Sequence, residues 1–549
     1  MIISSINIRG LGGAVKKCAI KELVMKERVD FLAIQETKLE IVTDALCFAI
    51  WGGDNCQWAF LPSSGNSGGI LSIWNKSSAS LNFTFVGEGF VGVCLEWGVS
   101  RRVCCIVNVY SSCDIVAKRR LWSNLCMSKR GFGGNAWCVP GDFNAVLHRE
   151  ERRGLNHLST NSALVEIAEF RDFVRDMDLT DLPVLGRQFT WAHPNGISMS
   201  RIDRVLVSDD WFDNGTNPAV WVLPRTVSDH NPLVVRSSFC NWGPRPFRFK
   251  NFWLTNKNFK GVVESYWRNC NVTGWMAFVL KEKLKGLKMV IKDWSKEAYG
   301  VMDEEIEKLI LEISVLDMQA ELVGLSKEEA EKRKVLFAEL WHLKISKESL
   351  IVQRSRARWL REGDTNSRFF HACIKSRRKQ NAIMALRLND GWIEAPDDIR
   401  QAVVSFFRNH FSSVPWQRPN IDGILFPVLS FEENQQLVSP FQMEEIEHVI
   451  LNSDGNKSPG PDGFNFAFLK KFWGLIKYEV RILFDQFHGT DSLPKSFASY
   501  FVALIPKVHS PFSLGDFRPI SLLGCLYKII AKVLTSRLAR VMNSLVATT

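Results

Sequence analysis

Five short segments carry acids or amides directly at the ends of strand-like runs. They are Ser5-Ile-Asn7-Ile-Arg9-Gly-Leu11, Ile34-Gln-Glu36-Thr-Lys38, Pro140-Gly-Asp142-Phe-Asn144, Ser200-Arg201-Ile-Asp203-Arg204 and Ser228-Asp229-His230. Singly, each has an ordinary reading: a surface glutamate, a turn asparagine, a hydrogen-bonded Asp–His cap. As an ordered set they carry what metal-assisted hydrolysis of a phosphodiester requires. A hard divalent cation takes oxygen ligands, usually one or two carboxylates plus water. It stabilises charge on the phosphoryl oxygens and the leaving group, while a separate group aligns or deprotonates the attacking water. Strand ends on one rim of a sheet converge in space however far apart they lie in sequence, so the elements that must position these residues are strands.

The pattern up to Arg236 supplies them. Short β-like runs at Phe31–Gln35, Gly69–Trp74, Arg102–Val109, Ala136–Val139 and Arg201–Val207 are separated by Gly, Asn and Ser. Leu164, Ile167, Phe170 and Val174 fall at helical spacing within Ala163–Met177. Strands with interspersed helices predict an α/β domain. Asn241-Trp-Gly-Pro-Arg-Pro246 breaks any regular element. From about Asn258 to Ser355 the sequence turns to long charged helices, with Ile306, Leu309, Ile313 and Leu316 in one stripe and a capping box at Ser326-Lys-Glu-Glu329. This stretch reads as a spacer with one packed face. The expected division is 1–238, a charged helical linker over 239–350, and a third region over 351–549.

Composition narrows the class. The chain has 549 residues, 46% hydrophobic and 23% charged, an ordinary globular balance. It holds no run of 18 apolar residues, so no membrane-spanning helix is expected. Its start lacks the basic and apolar regions of a secretory signal. Thirteen cysteines without a C-x-x-C pair favour reduced thiols, and together these features predict a nuclear or cytoplasmic protein, not a secreted one. The net charge of +11 is uneven: residues 1–238 hold 25 Lys+Arg against 24 Asp+Glu, and residues 239–549 hold 44 against 34. Such a basic half suits a polyanionic partner. Within it, Arg354 to Lys379 mixes basic residues, Arg377, Arg378 and Lys379 among them, with Trp359, Phe369, Phe370 and His371. Basic groups contact phosphates and aromatics stack on bases, so the mixture predicts a nucleic-acid surface, with a solvated helix face as the alternative.

The five segments, in this order over residues 1–236, resemble the endonuclease/exonuclease/phosphatase superfamily. The resemblance implies a four-layer α-β-β-α sandwich with its active site at one rim. It further implies that Glu36 binds the metal with Asn7 close by and Asp229 in support. Asp142 positions or deprotonates the water, with Asn144 beside it. His230 contacts the scissile phosphate and is oriented by Asp203, and Tyr110 stands near the phosphate. Thr190 and Ser228 match hydrogen-bonding positions of the retroelement branch, and Arg9 follows that branch's Asn-x-Arg-Gly-Leu pattern. Arg9, Thr190, Arg201 and Ser228 are thereby expected on the nucleic-acid side. The implied cofactor is Mg2+, with Mn2+ as the alternative. The implied partner is DNA, with element RNA as a candidate for the basic segment and no small-molecule cofactor or membrane.

Asp364-Thr-Asn-Ser-Arg-Phe-Phe-His371, Lys457-Ser-Pro-Gly-Pro-Asp-Gly-Phe464, Ile505-Pro-Lys507 and Asp516-Phe-Arg-Pro-Ile-Ser-Leu522 follow in order. Together they resemble the amino-terminal fingers of reverse transcriptases of LINE-type non-LTR retrotransposons, of the kind abundant in plants. The likeness implies that Lys507 and Arg518 match residues contacting an incoming nucleotide. No Tyr or Phe is followed by x-Asp-Asp, and no acid follows Asp516. The expectation is an incomplete α+β fingers region, truncated before the palm and inactive in polymerisation. Its last helix, with Leu526, Ile529, Ile530, Val533, Leu534 and Leu538 at helical spacing, is expected to expose an apolar face. The whole reads as a Mg2+-dependent endonuclease that nicks DNA, fused to a polymerase remnant. The alternatives are an RNA exonuclease or phosphatase of the same fold, and a non-enzymatic nucleic-acid-binding relic.

Overall fold

A strand covered on both faces reads as a near-continuous apolar run, as Phe31–Gln35 (β2) does, and both β2 and Ile3–Asn7 (β1), with its Ser4, Ser5 and Asn7, are buried at every position. The computed structural model describes the chain apart from residues 66, 134–135, 155–160, 212–215, 240–241, 245, 301, 356–380, 390, 413–426, 509–510 and 546–549. Two compact units result. The first comprises Met1–Trp242, Ile383–Phe411 and Val508–Asp516, and the second comprises Gly243–Ala382, Ser412–Lys507 and Phe517–Thr549.

In the first unit, β1, helix α1 (Ala14–Glu27), β2, helix α2 (Asp44–Trp51), β3 (Cys56–Ser64) and β4 (Ser67–Asn75) are followed by the meander β5 (Ala79–Gly87), β6 (Phe90–Trp97) and β7 (Arg102–Tyr110). Helix α3 (Ile115–Phe132) leads to β8 (Ala136–Asp142), β9 (Arg152–Arg153) and helix α4 (Asn161–Asp176). Then come β10 (Thr180–Asp181), β11 (Val184–Leu185), β12 (Trp191–Ala192), β13 (Met199–Ser200), β14 (Asp203–Val207), β15 (Thr216–Val222) and β16 (Leu233–Phe239). One sheet has the order β11-β15-β16-β1-β2-β4-β3 and the other β10-β14-β8-β7-β6-β5. Side chains alternate faces along a strand. Phe31 and Ala33 accordingly join Trp74, Val93, Ile106 and Val205 between the sheets. Leu32 and Ile34 pack outward with Ile20 and Val24 of α1 and Cys47 and Ile50 of α2. On the far side Val107, Trp137 and Val139 meet Leu121 and Trp122 of α3 and Phe170 and Phe173 of α4. The architecture is α/β, a four-layer α-β-β-α sandwich.

A hairpin of β17 (Leu386–Leu388) and β18 (Gly391–Ile393) belongs to this unit. Met384, Ala385 and Trp392 pack on Leu185, Ala219 and Trp221. The Trp221 and Trp392 rings meet edge to face at 5.4 Å. The Arg387 N–H donates to the Phe512 carbonyl at 2.7 Å. Residues far along the chain thus complete the sandwich edge, across a separation no local pattern signals.

The second unit is built on α5 (Phe259–Asn269), α6 (Met276–Tyr299), α7 (Met302–Leu322), α8 (Lys327–Ser355), α9 (Phe431–Val438), α10 (Met443–Asn452), α11 (Phe466–Lys471), α12 (Trp473–Thr490) and α13 (Cys525–Leu545). It also holds the hairpin β19 (Tyr500–Pro506) and β20 (Phe517–Leu523). Phe249, Trp253, Phe259 and Leu287 share one core with Ile446, Phe468, Val480 and Ile530, so α5 and α6, read as part of a spacer, pack with the later helices. The expectation for the last helix needs correction. Leu526, Ile529, Ile530 and Val533 are buried, and only Leu534 and Leu538 of that stripe are exposed. The reason is that α9 and α10 cover this face, where the Arg537 guanidinium pairs with Glu445 and donates to the carbonyls of Leu437, Ser439 and Pro440. Asp462 of the Pro-Gly-Pro-Asp-Gly run accepts from the Cys525 N–H at the start of α13. Lys507 follows β19, and Arg518 pairs in register with Ile505, so both stand at one end of this hairpin. Arg377, Arg378 and Lys379 lie outside the described residues.

Candidate active site

Strand register brings the candidate residues level. β7 and β8 run parallel with Tyr110 opposite Asp142, and β8 and β14 run antiparallel with Asp142 opposite Asp203. Three neighbouring strands therefore present Tyr110, Asp142 and Asp203 in a row. In the facing sheet Asn7 ends β1 opposite Gln35, so Glu36 follows at the same rim. His230 precedes β16, whose Leu233 pairs with Ser5. Beneath the rim, the Gln35 side-chain amide donates to Asn108 Oδ1 at 2.6 Å and to Ser5 Oγ at 3.0 Å. The Asn108 amide in turn donates to the Leu71 carbonyl and Ser72 Oγ. This buried polar link joins the sheets, since an amide left bare there would cost about 1–3 kcal/mol.

The centre of the site is dense with acids. Asn7 Nδ2 donates to Asp142 Oδ2 at 3.0 Å, and the Asn144 N–H donates to Asp142 Oδ1 at 2.9 Å. Asn144 Nδ2 donates to the Ser111 carbonyl at 2.6 Å. His230 Nδ1 lies 3.0 Å from both oxygens of Asp203, and Nε2 faces Asp142 at 4.0 Å. Burial, then the charge of Asp203, pushes Asp142 up to about 6, against the pull of His230 and the two hydrogen bonds. Burial opposes the charge on His230, but the charge and hydrogen bond of Asp203, with Asp142 and Asp229, lift it to about 9. Burial, then Glu36 and Asp142, raises the Tyr110 hydroxyl far above its ordinary value, and it hydrogen-bonds Glu36. It is a neutral donor at neutral pH.

At the mouth, Arg9 lies 3.7 Å from Glu36 and 2.9 Å from Asp229, and Lys38 lies 3.3 Å from Glu36. Arg9, Glu36, Lys38 and Asn144 all hold left-handed backbone, φ between +47° and +56°. Such strain gathers where surrounding structure fixes a functional geometry. Two carboxylates facing Arg9 and Lys38, with amide oxygen nearby, fit a hard divalent cation. Asp142, Asp203 and His230 also bring ligand-type atoms within 4.8 Å of one another, so oxygen donors lie on both sides of the rim.

Several sequence-derived positions act indirectly. Thr190 is wholly buried. Its Oγ1 accepts from the Ile202 and Asp203 N–H groups at 3.1 and 3.0 Å, and its carbonyl accepts from the Asn231 N–H at 2.7 Å. It holds Asp203 and the His230 segment together instead of meeting nucleic acid. Ser228 Oγ donates to the Asn7 carbonyl at 2.7 Å and accepts from the His230 N–H at 3.2 Å. Arg201 is turned inward: its guanidinium lies 2.9 Å from Asp181 and 3.2 Å from Glu151, beside Arg204, which pairs with the same two acids. That buried network consumes Arg201 as an interior brace, because an arginine buried without its acids would be too costly. Arg9 alone of the four is an exposed cation at the rim. Trp191 was missed from the sequence. Its indole N–H donates to Asp229 Oδ2 at 2.9 Å, and the signal was the demand of a half-buried indole for an acceptor.

Over 464 residues the chain is 26% identical to the Transposon TX1 uncharacterized 149 kDa protein of Xenopus laevis, which takes in 80% of this chain and 34% of that protein. The chain thus spans about a third of the length of that relative. Among solved structures, the 3' phosphatase NExo from Neisseria, bound to product DNA hairpin, is 18% identical, covering 43% of this chain and 99% of its own, with a TM-score of 0.35. The AP endonuclease LMAP from Leishmania major is 17% identical, covering 43% and 86%, with a TM-score of 0.34. The endonuclease domain of TRAS1, a telomere-specific non-LTR retrotransposon, is 14% identical, covering 43% and 98%, with a TM-score of 0.32. No helix among the described residues is long and apolar enough to cross a membrane. Residues 4–230, which carry every rim residue described above, match the Endonuclease/Exonuclease/phosphatase family.

Proposed function

We propose that the first unit is a Mg2+-dependent endonuclease that nicks DNA, in a chain of LINE-type retroelement origin whose second unit carries reverse-transcriptase fingers motifs. One observation carries the nuclease reading: His230, locked by Asp203 at 3.0 Å, faces an Asp142 that Asn7 and Asn144 hold from the other side. A water-positioning carboxylate and a protonated imidazole on one rim are the two groups that hydrolysis of a phosphodiester needs. The family match over residues 4–230 and the similarity to a transposon protein support the reading.

In this account Glu36 and Asp229, with Asn7, would hold the cation. When bound, it supplies charge stabilisation at the phosphoryl oxygens and the leaving group. Asp142, ionised above about pH 6, aligns the attacking water and accepts its proton, with Asn7 and Asn144 fixing the carboxylate. His230, protonated below about pH 9, offers its Nε2–H to the scissile phosphate while Asp203 fixes its ring. Tyr110 donates at the same edge, and Arg9 is placed to meet a backbone phosphate. Lys507 and Arg518 are retained phosphate contacts of the fingers.

The test is substrate choice. The purified chain, offered supercoiled DNA, single-stranded RNA and a phosphate monoester in Mg2+, should relax the plasmid to its open circle. Preferential trimming of RNA ends or release of phosphate, with the plasmid intact, would move the assignment to another activity of the same fold.

A further inference from the structure

Near the start of α3, Lys118 carries its charge into the interior: the residue is 2% exposed. An ammonium taken out of water is tolerated only where it is paired and hydrogen-bonded. Its Nζ donates to Glu166 Oε1 of α4 at 2.9 Å and to the Asn144 carbonyl at 2.8 Å. Glu166 answers the charge, and Arg152 reaches the same carboxylate oxygen at 3.5 Å. The second bond leads to the rim.

Asn144 holds left-handed backbone at φ +47°, a strained conformation that persists where its surroundings hold it. Three of its polar groups are held. The N–H donates to Asp142 Oδ1 at 2.9 Å, Nδ2 donates to the Ser111 carbonyl at 2.6 Å, and the carbonyl accepts from Lys118. The N–H bond is one of two that fix the Asp142 carboxylate, the other coming from Asn7. The carbonyl and N–H of Asn144 belong to successive rigid peptide planes, so pinning one limits the swing of the other. Docking of α3 on α4 does not by itself account for Lys118. Arg119, one position on, already bridges these helices through a two-pronged exposed pair with Glu169 at 2.7 and 2.9 Å.

We propose that Lys118 is a positioning residue for the rim: it holds the Asn144 backbone so that the Asn144 N–H keeps Asp142 in place. This rests on the reading of Asp142 as the group that aligns the attacking water. Buried as it is, Lys118 acts through Asn144 and not on the substrate.

Hydrogen exchange at the Asn144 amide of the full chain tests this independently of cutting. Lys118→Met alone would strand the Glu166 charge, so Glu166→Gln accompanies it. The pair should speed exchange of the Asn144 N–H at least about tenfold, with the β8 amides of Cys138 and Val139 unmoved. The nicking rate at saturating plasmid and Mg2+ should fall about ten- to a hundredfold, with KM and the Mg2+ requirement held. Lys118→Arg, which keeps the charge and the donors, should recover most of both. Arg119→Met with Glu169→Gln cuts the other bridge between the same helices and should change neither. Unchanged exchange in the folded Lys118 variant, or an equal effect from the Arg119 pair, overturns the proposal. Faster exchange with an undiminished nicking rate overturns it as well. If the wild-type chain leaves plasmid intact, the nuclease reading fails, and the exchange result still decides whether Lys118 holds Asn144.

Discussion

Asp142 is where most of the rim's interactions meet: Asn7, the Asn144 N–H, the Asp203 charge and the His230 ring all bear on it. Asp142→Asn and His230→Ala should each lower the nicking rate by about 10²–10⁴-fold while leaving the melting temperature within a degree or two. A melting shift of many degrees would show a structural role instead. Glu36→Gln should raise the Mg2+ concentration for half-maximal rate before it lowers the rate at saturation. Away from the rim, burial works against ionisation of Glu151, but Arg204 and Arg201 outweigh it and hold its carboxyl below the usual range. A carboxyl depressed in the folded state lends stability above about pH 4.5 that is lost as pH falls through its folded value. Glu151→Gln should therefore cost about 3–5 kcal/mol at neutral pH, the penalty for breaking a buried pair. It should also flatten the acid limb of stability against pH, and an acid limb unchanged in the variant would dismiss the network as its source. At this scale the sequence was legible for Asn7, Glu36, Asp142, Asp203 and His230, because each stands at or beside the end of a strand. It was not legible for Arg201 and Thr190, since the same residue types serve a phosphate or a buried acid, and only the fold says which is nearer.

Elements set how firmly the rim is held. Gly141 precedes Asp142 with φ +152°, and a Cβ there would lie 2.0 Å from the Val109 carbonyl oxygen. Gly141→Ala should push β8 from β7 and lower melting and nicking together, with a strain of about 1–3 kcal/mol. Loss of nicking without loss of stability would contradict this. The sheet edge at Trp221 depends on the β17–β18 hairpin, some 170 residues on. A double-mutant cycle on Trp221 and Trp392 should give a coupling of about 0.5–1.5 kcal/mol. A fragment ending at Phe239 should fold with a lower melting temperature than the same unit in the full chain, because Trp221 is then bare. The alternating strands and capped helices could be seen in the sequence, whereas the hairpin's docking could not, as nothing local distinguishes Trp392 from an exposed tryptophan. The same holds for α13. Its apolar stripe was evident, but what covers it, α9 and α10, depended on tertiary packing.

At the scale of the molecule, charge is unevenly spread along the sequence. The acidic rim belongs to a nearly neutral region, and the excess of basic residues belongs to 239–549. Nucleic-acid binding by the full chain should weaken steeply with salt through counterion release. Replacing Arg377, Arg378 and Lys379 with Gln should flatten that slope without changing sequence preference, and a slope unmoved by the triple change would place the contact elsewhere. The central claim is hydrolytic, and the conversion of supercoiled plasmid to open circle by the purified chain tests it most directly. The account predicts open circle in Mg2+, none when the cation is chelated, and at least about a hundredfold less with folded Asp142→Asn. Plasmid left intact by the folded wild-type chain in Mg2+, or nicked equally by the Asp142→Asn variant, would contradict it.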